Sequence, residues 1–123
     1  MSSTDLIIHD ISDVVVVKLI DASILNAQAI ETIGRRLYEL VDAKASRKIV
    51  LDFSDVKVIS SSLLSVLITL QKKAQAINGR VAISGLRKDL RKPFKITQLD
   101  KMFSFYDDQE AALADFGVRL NNK

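Results

Sequence analysis

A short apolar run that leads through a serine-rich connection into an amphipathic helix constrains the fold of this chain most strongly. Ile49, Val50 and Leu51 form the run, and Asp52 bounds it downstream. An apolar run this short suits a strand that is buried on both faces, as in a parallel sheet. We therefore expect a sheet with helices packed on it.

The predicted helix follows this strand and carries its apolar residues at spacings of three and four. That spacing places them on one face of the helix: Leu63, Val66, Leu67, Leu70, Ala74 and Ile77. Lys72 and Lys73 lie toward its C-terminal end, where cations complement the helix dipole. Asn78 and Gly79 come next, and both tolerate the left-handed conformation that ends helices.

Three consecutive serines, Ser60, Ser61 and Ser62, lie where the connection enters this helix. The unpaired N–H groups and partial positive charge of a helix N-terminus accept an anion readily, including a phosphate on a serine hydroxyl. Serine is also a good N-cap, and that structural role accounts for one or two of the three. From the residues alone, a structural cap and a regulated site both remain open.

The remaining elements follow from similar patterns. Strands are expected at residues 6–11, 14–20, 81–83 and 102–106. A first helix is expected from the spacing of Ile30, Ile33, Leu37, Leu40, Val41 and Ala45. The resulting order, β-β-α-β-α-β-α-β-α, implies a mostly parallel or mixed sheet with right-handed crossovers, and hence an α/β fold.

Polar residues suggest where two of the helices begin. Residues 21–26 are predicted to be a loop, with Ser23 and Asn26 as candidate caps. Asp107 is followed three residues later by Glu110, an arrangement that approximates a capping box at the start of the last helix.

Residues 88–98 have a helical pattern that a proline interrupts. Pro93 lacks an N–H group and crowds the preceding turn, so we expect a short or kinked helix. Its inward residues are predicted to be Leu90, Phe94 and Ile96.

Composition argues against an enzyme. The 123 residues fit one domain, predicted to span residues 1–123 with a core at about 5–117. The chain has no cysteine and one histidine, so thiolate metal sites are excluded and histidine-based catalysis is disfavoured. Asp21, Asp52 and Asp55 follow predicted strands, but no spacing among them fixes a metal site. No nucleotide-binding or nucleophile-elbow motif is present. We therefore predict no catalytic residues, no cofactor and no metal.

The charge of the chain indicates no nucleic acid partner. Eighteen Lys and Arg against fifteen Asp and Glu give a net charge of +3, which is too small for that role. The one notable basic cluster is interpreted as a solvated helix face or, alternatively, an anion-binding patch; it consists of Arg87, Lys88, Arg91, Lys92 and Lys95. Without a signal peptide or an apolar run of membrane-spanning length, we expect a cytoplasmic protein with no membrane insertion.

Two segments resemble the STAS domain family, which includes bacterial anti-sigma factor antagonists and cytosolic domains of sulphate transporters. LDFSDVKVISSSLLSVLITLQKKAQAINGRVAISG, residues 51–85, is similar to the family's central strand, loop and helix. KITQLDKMFSFYDDQEAALADF, residues 95–116, is similar to its C-terminal strand and helix. The resemblance covers nearly the whole chain and implies a single domain, with a mixed sheet of about five strands and about four helices packed on it.

The resemblance also implies a function. In anti-sigma factor antagonists, a partner anti-sigma factor that is itself a kinase phosphorylates a serine at the start of the central helix, and a phosphatase resets the module. The family loop Asp-Ser-Ser/Thr-Gly-Leu-Gly matches residues 60–65 here, which places the phosphoacceptor on Ser62, with Ser61 as the alternative. The implied partner-binding residues are Asp21, Ser23, Asn26, Ser60, Ser61, Ser62, Leu63 and Ser65. The module is expected to be a monomer or a weak dimer.

This loop departs from the family pattern at three positions. Ser60 replaces the family's Asp, and Leu63 and Ser65 replace its two glycines. Small residues let a kinase approach the backbone closely, so the replacements bear on the switch more than on the fold. Two alternatives therefore stay open: a non-phosphorylated STAS scaffold or transport-assembly subunit, and a small α/β hydrolase-like enzyme.

Overall fold

The computed structural model describes residues 6–20, 23–24 and 27–118 of the chain. Its strands are β1 (Leu6–Ile11), β2 (Val14–Leu19), β3 (Ser23–Ile24), β4 (Lys48–Asp52), β5 (Val58–Ile59), β6 (Arg80–Ser84) and β7 (Ser104–Tyr106). Its α-helices are α1 (Ala27–Asp42), α2 (Ser61–Ala76), α3 (Lys88–Ile96) and α4 (Gln109–Asp115), and a 3-10 turn spans Leu99–Lys101.

The main sheet has five strands in the order β1-β2-β4-β6-β7. β1 and β2 form an antiparallel hairpin, and every other neighbouring pair is parallel. The predicted mixed sheet of an α/β fold is thus confirmed. β4 is the middle strand, which explains why Ile49, Val50 and Leu51 are fully buried.

Alternation along β4 assigns its side chains to two separate cores. Ile49 and Leu51 belong to the larger core, which also contains the apolar faces of α1, α2 and α3. Val50 points the other way, into a smaller core that α4 completes with Ala112 and Leu113. Three helices therefore cover one face of the sheet, and α4 covers the other.

Two glycines allow close approaches that a side chain would block. Gly34 of α1 faces α2, where an added Cβ would lie 3.3 Å from Val66 Cγ2. At Gly79, an added Cβ would lie 2.4 Å from the carbonyl oxygen of Arg47. The left-handed residue that ends α2 is Asn78, with φ 63°, so Gly79 serves the approach to Arg47 and Asn78 serves the turn.

Several predicted boundaries were wrong. The first helix ends at Asp42, so Ala45 is exposed beyond it with φ 53°. The last strand begins at Ser104 because a 3-10 turn precedes it. The cap of α4 is Asp108, whose Oδ1 accepts a hydrogen bond from Ala111 N–H at 2.9 Å, and not Asp107.

Two further predictions were wrong about surroundings. Ile96, expected to point inward, is 74% exposed at the last position of α3. Residues 23–24 and 58–59, expected to be connections, pair as the short parallel strands β3 and β5. α3 is short, as Pro93 suggested, at nine residues.

Candidate functional site

The N-terminus of α2 is capped by the first of the three serines. Ser60 has extended backbone angles, φ −93° and ψ 162°, and its Oγ accepts a hydrogen bond from Leu63 N–H at 3.2 Å. This is the geometry of an N-cap, which satisfies one of the unpaired N–H groups of the first turn. The structural role therefore belongs to Ser60, and it does not account for the next two serines.

Ser61 and Ser62 are the first two residues of α2, and both are exposed. The Ser62 hydroxyl makes no hydrogen bond to any residue in the described ranges. The first turn of α2 contains no acidic side chain that would offset the positive end of the helix dipole. A negative charge on Ser62 would therefore lie where the helix itself favours one.

The two positions where the sequence departs from the family's glycines lie on different sides of α2. Leu63 is fully buried in the larger core, so its side chain leaves the surface at the helix start unobstructed. Ser65 is exposed, and its Oγ donates a hydrogen bond to the Ser61 carbonyl oxygen at 3.3 Å. The side chains of Ser61, Ser62 and Ser65 therefore form the exposed surface of this first turn.

The β3–β5 ladder brings a second candidate segment to the same place. Ser23 pairs with Val58 and Ile24 with Ile59, directly before the serines. The backbone at Ser23 thus lies beside the entry to α2, whereas Asp21 and Asn26 lie outside the described residues. Sequence reasoning did not identify Val58 as part of this surface, although its β-branched character fits the short strand it forms.

Two exposed apolar side chains lie on the segments that lead toward this surface: Ile20 follows β2, and Val58 lies in β5. Ile20 and Val58 are 40% and 39% exposed, which is unusual for large aliphatic residues in this structure. The hydropathy pattern alone did not reveal them, because it assigned both residues to apolar runs.

The acidic residues after the strands are held by other protein groups. Asp55 forms an ion pair with Lys18 at 3.5 Å. Asp52 is buried; its Oδ1 accepts a hydrogen bond from Ser54 N–H at 2.9 Å, and its Oδ2 accepts one from Gln109 Nε2 at 2.5 Å. Asp52 therefore joins β4 to the start of α4. Within the described ranges, no group of three or more potential ligands could hold a metal ion.

A separate polar cluster links α4 to β6 and β7. The Tyr106 hydroxyl donates a hydrogen bond to Asp115 Oδ2, which Arg80 Nη2 also contacts at 2.9 Å. The hydrogen bond from Tyr106 and the one from Arg80 lower the pKa of Asp115. Burial raises the pKa of Tyr106, and so does the hydrogen bond that its hydroxyl donates to Asp115. None of the serines at the start of α2 contributes to this cluster.

A family model for the STAS domain matches residues 6–112. Because the match covers most of the chain, this protein belongs to the STAS domain family, as the sequence resemblance predicted. Its fold is that of the anti-sigma factor antagonists, which are regulatory binding proteins and not enzymes. The membership confirms the prediction that the chain is not an enzyme and argues against the hydrolase alternative.

Individual relatives agree with this assignment. The chain is 29% identical over 97 residues to BtrV of Bordetella bronchiseptica, assigned as an anti-sigma factor antagonist, with 79% of this chain and 83% of BtrV covered. The crystal structure of TM1081 from Thermotoga maritima, assigned to the same class, superposes with a TM-score of 0.81 at 23% identity and covers 92% of this chain and 95% of that one.

A third relative was solved in a modified state. The Bacillus cell fate determinant SpoIIAA in its phosphorylated form superposes with a TM-score of 0.73 at 19% identity, covering 90% of this chain and 98% of SpoIIAA. At these identities the two superpositions show a common fold.

Across the described residues, no helix is both long and apolar enough to span a membrane.

Proposed function

We propose that this protein is an anti-sigma factor antagonist that binds a kinase-type anti-sigma factor and is released when Ser62 is phosphorylated. The observation that carries the proposal is the division of roles at the start of α2. Ser60 caps the helix, which leaves the exposed Ser62 hydroxyl without a structural role in the described part of the chain. A phosphorylated relative, SpoIIAA, has the same fold.

Electrostatics supports a switch that leaves the module folded. Phosphorylation adds a charge of about −1.5 to −2 at neutral pH. The N-terminus of α2 tolerates that charge, because its first turn has no acidic residue to repel it. A partner that presents carboxylates or a close apolar surface to Ser62 would be repelled or left with a buried charge. The modification therefore weakens the complex more than it disturbs the fold.

The proposed contact surface consists of the first turn of α2 and the β3–β5 segment beside it. Ser61, Ser62 and Ser65 supply polar contacts, and the exposed side chain of Val58 in β5 supplies apolar area. The family resemblance adds Asp21, Ser23 and Asn26 to the proposed surface, and of these the backbone of Ser23 lies within the described residues. The module acts in the cytoplasm as a monomer or weak dimer, and a phosphatase restores the unmodified form.

Phosphopeptide mapping of the protein from its native cells, with and without stress, tests the proposal. Trypsin cleavage after Lys57 and Lys72 releases residues 58–72 as one peptide that contains all three serines. Fragmentation should locate a stress-dependent phosphate on Ser62, or on Ser61 as the alternative. Ser62→Ala should abolish the modification, and Ser60→Ala is the matched control that removes only the cap.

A peptide that is fully covered and never modified would contradict the switch. The chain would then be better described as a non-phosphorylated scaffold or transport-assembly subunit with the same fold.

A further inference from the structure

A cleft of about 730 Å³ lies along α3, on a surface to which the serines of α2 do not contribute. Four of its lining side chains are cationic, two are acidic and one is aromatic: Lys88, Arg91, Lys92, Lys95, Asp89, Asp100 and Phe105. The proposed switch does not use these residues, and the sequence left open whether they are a solvated helix face or an anion-binding patch.

Packing fixes the rotation of α3 and thereby presents the cations outward. Leu90 and Phe94 are buried in the larger core. The Phe94 ring meets Phe103 and Phe105 edge-on, with centroids 6.3 and 5.4 Å apart. Because an α-helix turns about 100° per residue, the cations at positions 88, 91, 92 and 95 fall within an arc of about 100° on the opposite side.

The lysines of this arc are not neutralised by the fold. Within the described ranges, Lys88, Lys92 and Lys95 form no ion pair and no side-chain hydrogen bond. Like charges at spacings of three and four repel one another along a helix and lower its stability. Arg91 is placed differently, with its guanidinium carbon 5.8 Å from the centroid of Phe105. An anionic ligand would relieve this repulsion.

An exposed apolar side chain lies beside this arc of cations, at the last position of α3. Ile96 follows Lys92 by one helical turn and is 74% exposed, far more than the other large exposed apolar residues of the described chain, which are 39–42% exposed. The exposed side of α3 therefore offers three ammonium groups that are unpaired within the described ranges, and one aliphatic side chain that a ligand can contact. This combination matches a ligand that carries both carboxylates and an apolar side chain.

We propose that the α3 cleft docks an acidic segment of a protein partner, whose carboxylates contact Lys88, Lys92 and Lys95 and whose apolar side chain packs on Ile96. An acidic protein segment is chosen because its carboxylates complement the charges of the three lysines. Because Asp89 and Asp100 line the same cleft, a segment whose carboxylates are spaced apart can avoid them, whereas the continuous phosphate charge of a nucleic acid cannot. A membrane surface would call for more apolar side chains than Ile96 alone.

A labelled peptide tests this docking site on the intact protein. The probe is the octapeptide Glu-Glu-Leu-Glu-Glu-Leu-Glu-Glu, and its counterpart with Gln at every Glu is the uncharged control. At about 50 mM salt, where surface charges are weakly screened, we expect the acidic peptide to bind. It should shift amide NMR signals of α3, and Lys92→Glu with Lys95→Glu should weaken binding about tenfold or more.

A matched charge reversal separates the site from the overall charge of the protein. Lys57→Glu with Lys72→Glu reverses two exposed lysines outside the cleft and should change the affinity less than about twofold per residue replaced. Ile96→Ser, which keeps every charge, should weaken binding by severalfold. An unchanged circular dichroism spectrum for each variant would show that the helices remain folded.

Three results would overturn the proposal. The first is an absence of shifts in α3 at about 2 mM peptide, because the dissociation constant would then lie above the millimolar range. The second is an equal loss of affinity for the peptide in the charge-reversed variant of α3 and in the charge-reversed control outside the cleft. The third is tighter binding of twelve-residue oligothymidine, or of vesicles containing phosphatidylserine, than of the acidic peptide, because either would assign the cleft to a different class of ligand.

Discussion

The side-chain amide of Gln71 takes the place of a missing strand beside Val81. Gln71 Oε1 accepts a hydrogen bond from Val81 N–H at 2.9 Å, and Gln71 Nε2 donates to the Val81 carbonyl oxygen at 3.2 Å. β7 pairs with β6 only from Ala82 onward, so Val81 has no strand partner on that side. Gln71 Nε2 also reaches the Met102 carbonyl oxygen at 2.6 Å and thereby joins α2 to the approach to β7.

Replacing this glutamine should therefore destabilise the fold. Gln71→Leu keeps the volume of the side chain roughly constant but leaves two backbone groups of Val81 and one of Met102 unsatisfied. Each buried polar group without a partner costs about 1–3 kcal/mol, and the two Val81 groups are buried, so we expect a loss of roughly 2–6 kcal/mol in the free energy of unfolding. Urea denaturation measures it. Gln75→Leu, at an exposed position of the same helix, should change stability by less than about 0.5 kcal/mol.

The serines at the start of α2 should differ in their contributions to stability. Ser60→Ala removes the N-cap and should cost about 1 kcal/mol, which thermal and urea unfolding can detect. Ser62→Ala removes a hydroxyl without a described partner and should cost much less. If the two variants were equally destabilised, or if Ser62→Ala lost more, the assignment of the cap to Ser60 would be wrong.

A negative charge at Ser62 should separate stability from binding. Ser62→Asp places a carboxylate in the first turn of α2, where the helix dipole contributes about 0.3–1 kcal/mol in its favour. We expect unchanged or slightly raised stability together with weaker binding to the purified anti-sigma factor. Isothermal titration calorimetry compares the affinities, and Ser62→Ala is the control that should bind constitutively. Equal affinity of Ser62→Asp and the unaltered protein would contradict the switch.

The contacts of Asp115 should make stability depend on pH in the acidic range. Its folded-state pKa lies below the ordinary value of 3.8, so its contribution is fully present above that value. The contribution is lost as pH falls through the lower folded-state pKa. NMR titration should show the pKa of Asp115 rising in Tyr106→Phe, because the principal hydrogen bond is removed. A pKa that stays the same in this variant would show that Arg80 alone controls the carboxylate.

Much of the fold could be predicted because its elements are determined locally. The burial of residues 49–51 shows in the length of their apolar run, and the buried face of α2 shows in the spacing of its apolar residues. Both patterns can be seen within a single segment of sequence. The same pattern predicted a helix start at the three serines, and the structure distinguishes the capping serine from the exposed ones. That distinction depends on the backbone angles of Ser60. Because the three residues are identical, the sequence alone does not show which of them adopts the N-cap conformation.

Other features depend on tertiary contacts, and sequence patterns missed them for that reason. Gln71 reads as a polar residue near the end of a helix, and only the late start of β7 explains its burial. Ile96 was predicted to point inward, but it follows Phe94 by only two residues, which turns its side chain away from the face that Leu90 and Phe94 bury. Ser23 and Val58 form a ladder because the β4–α2 connection passes beside the segment that follows β2, a proximity that appears only in the folded chain.

Among the helices that the structure describes, α4 is the one that covers the second face of the sheet, and this has a consequence for synthesis on the ribosome. α4 is made after every strand in the described part of the chain, and with Phe116 just beyond it, it completes the core that contains Val14, Val16 and Val50. A nascent chain that has assembled α1–α3 on the first face would still expose these valines. Such surfaces favour aggregation. The interval between the emergence of β6 and that of α4 is therefore the period in which a chaperone would protect this protein most.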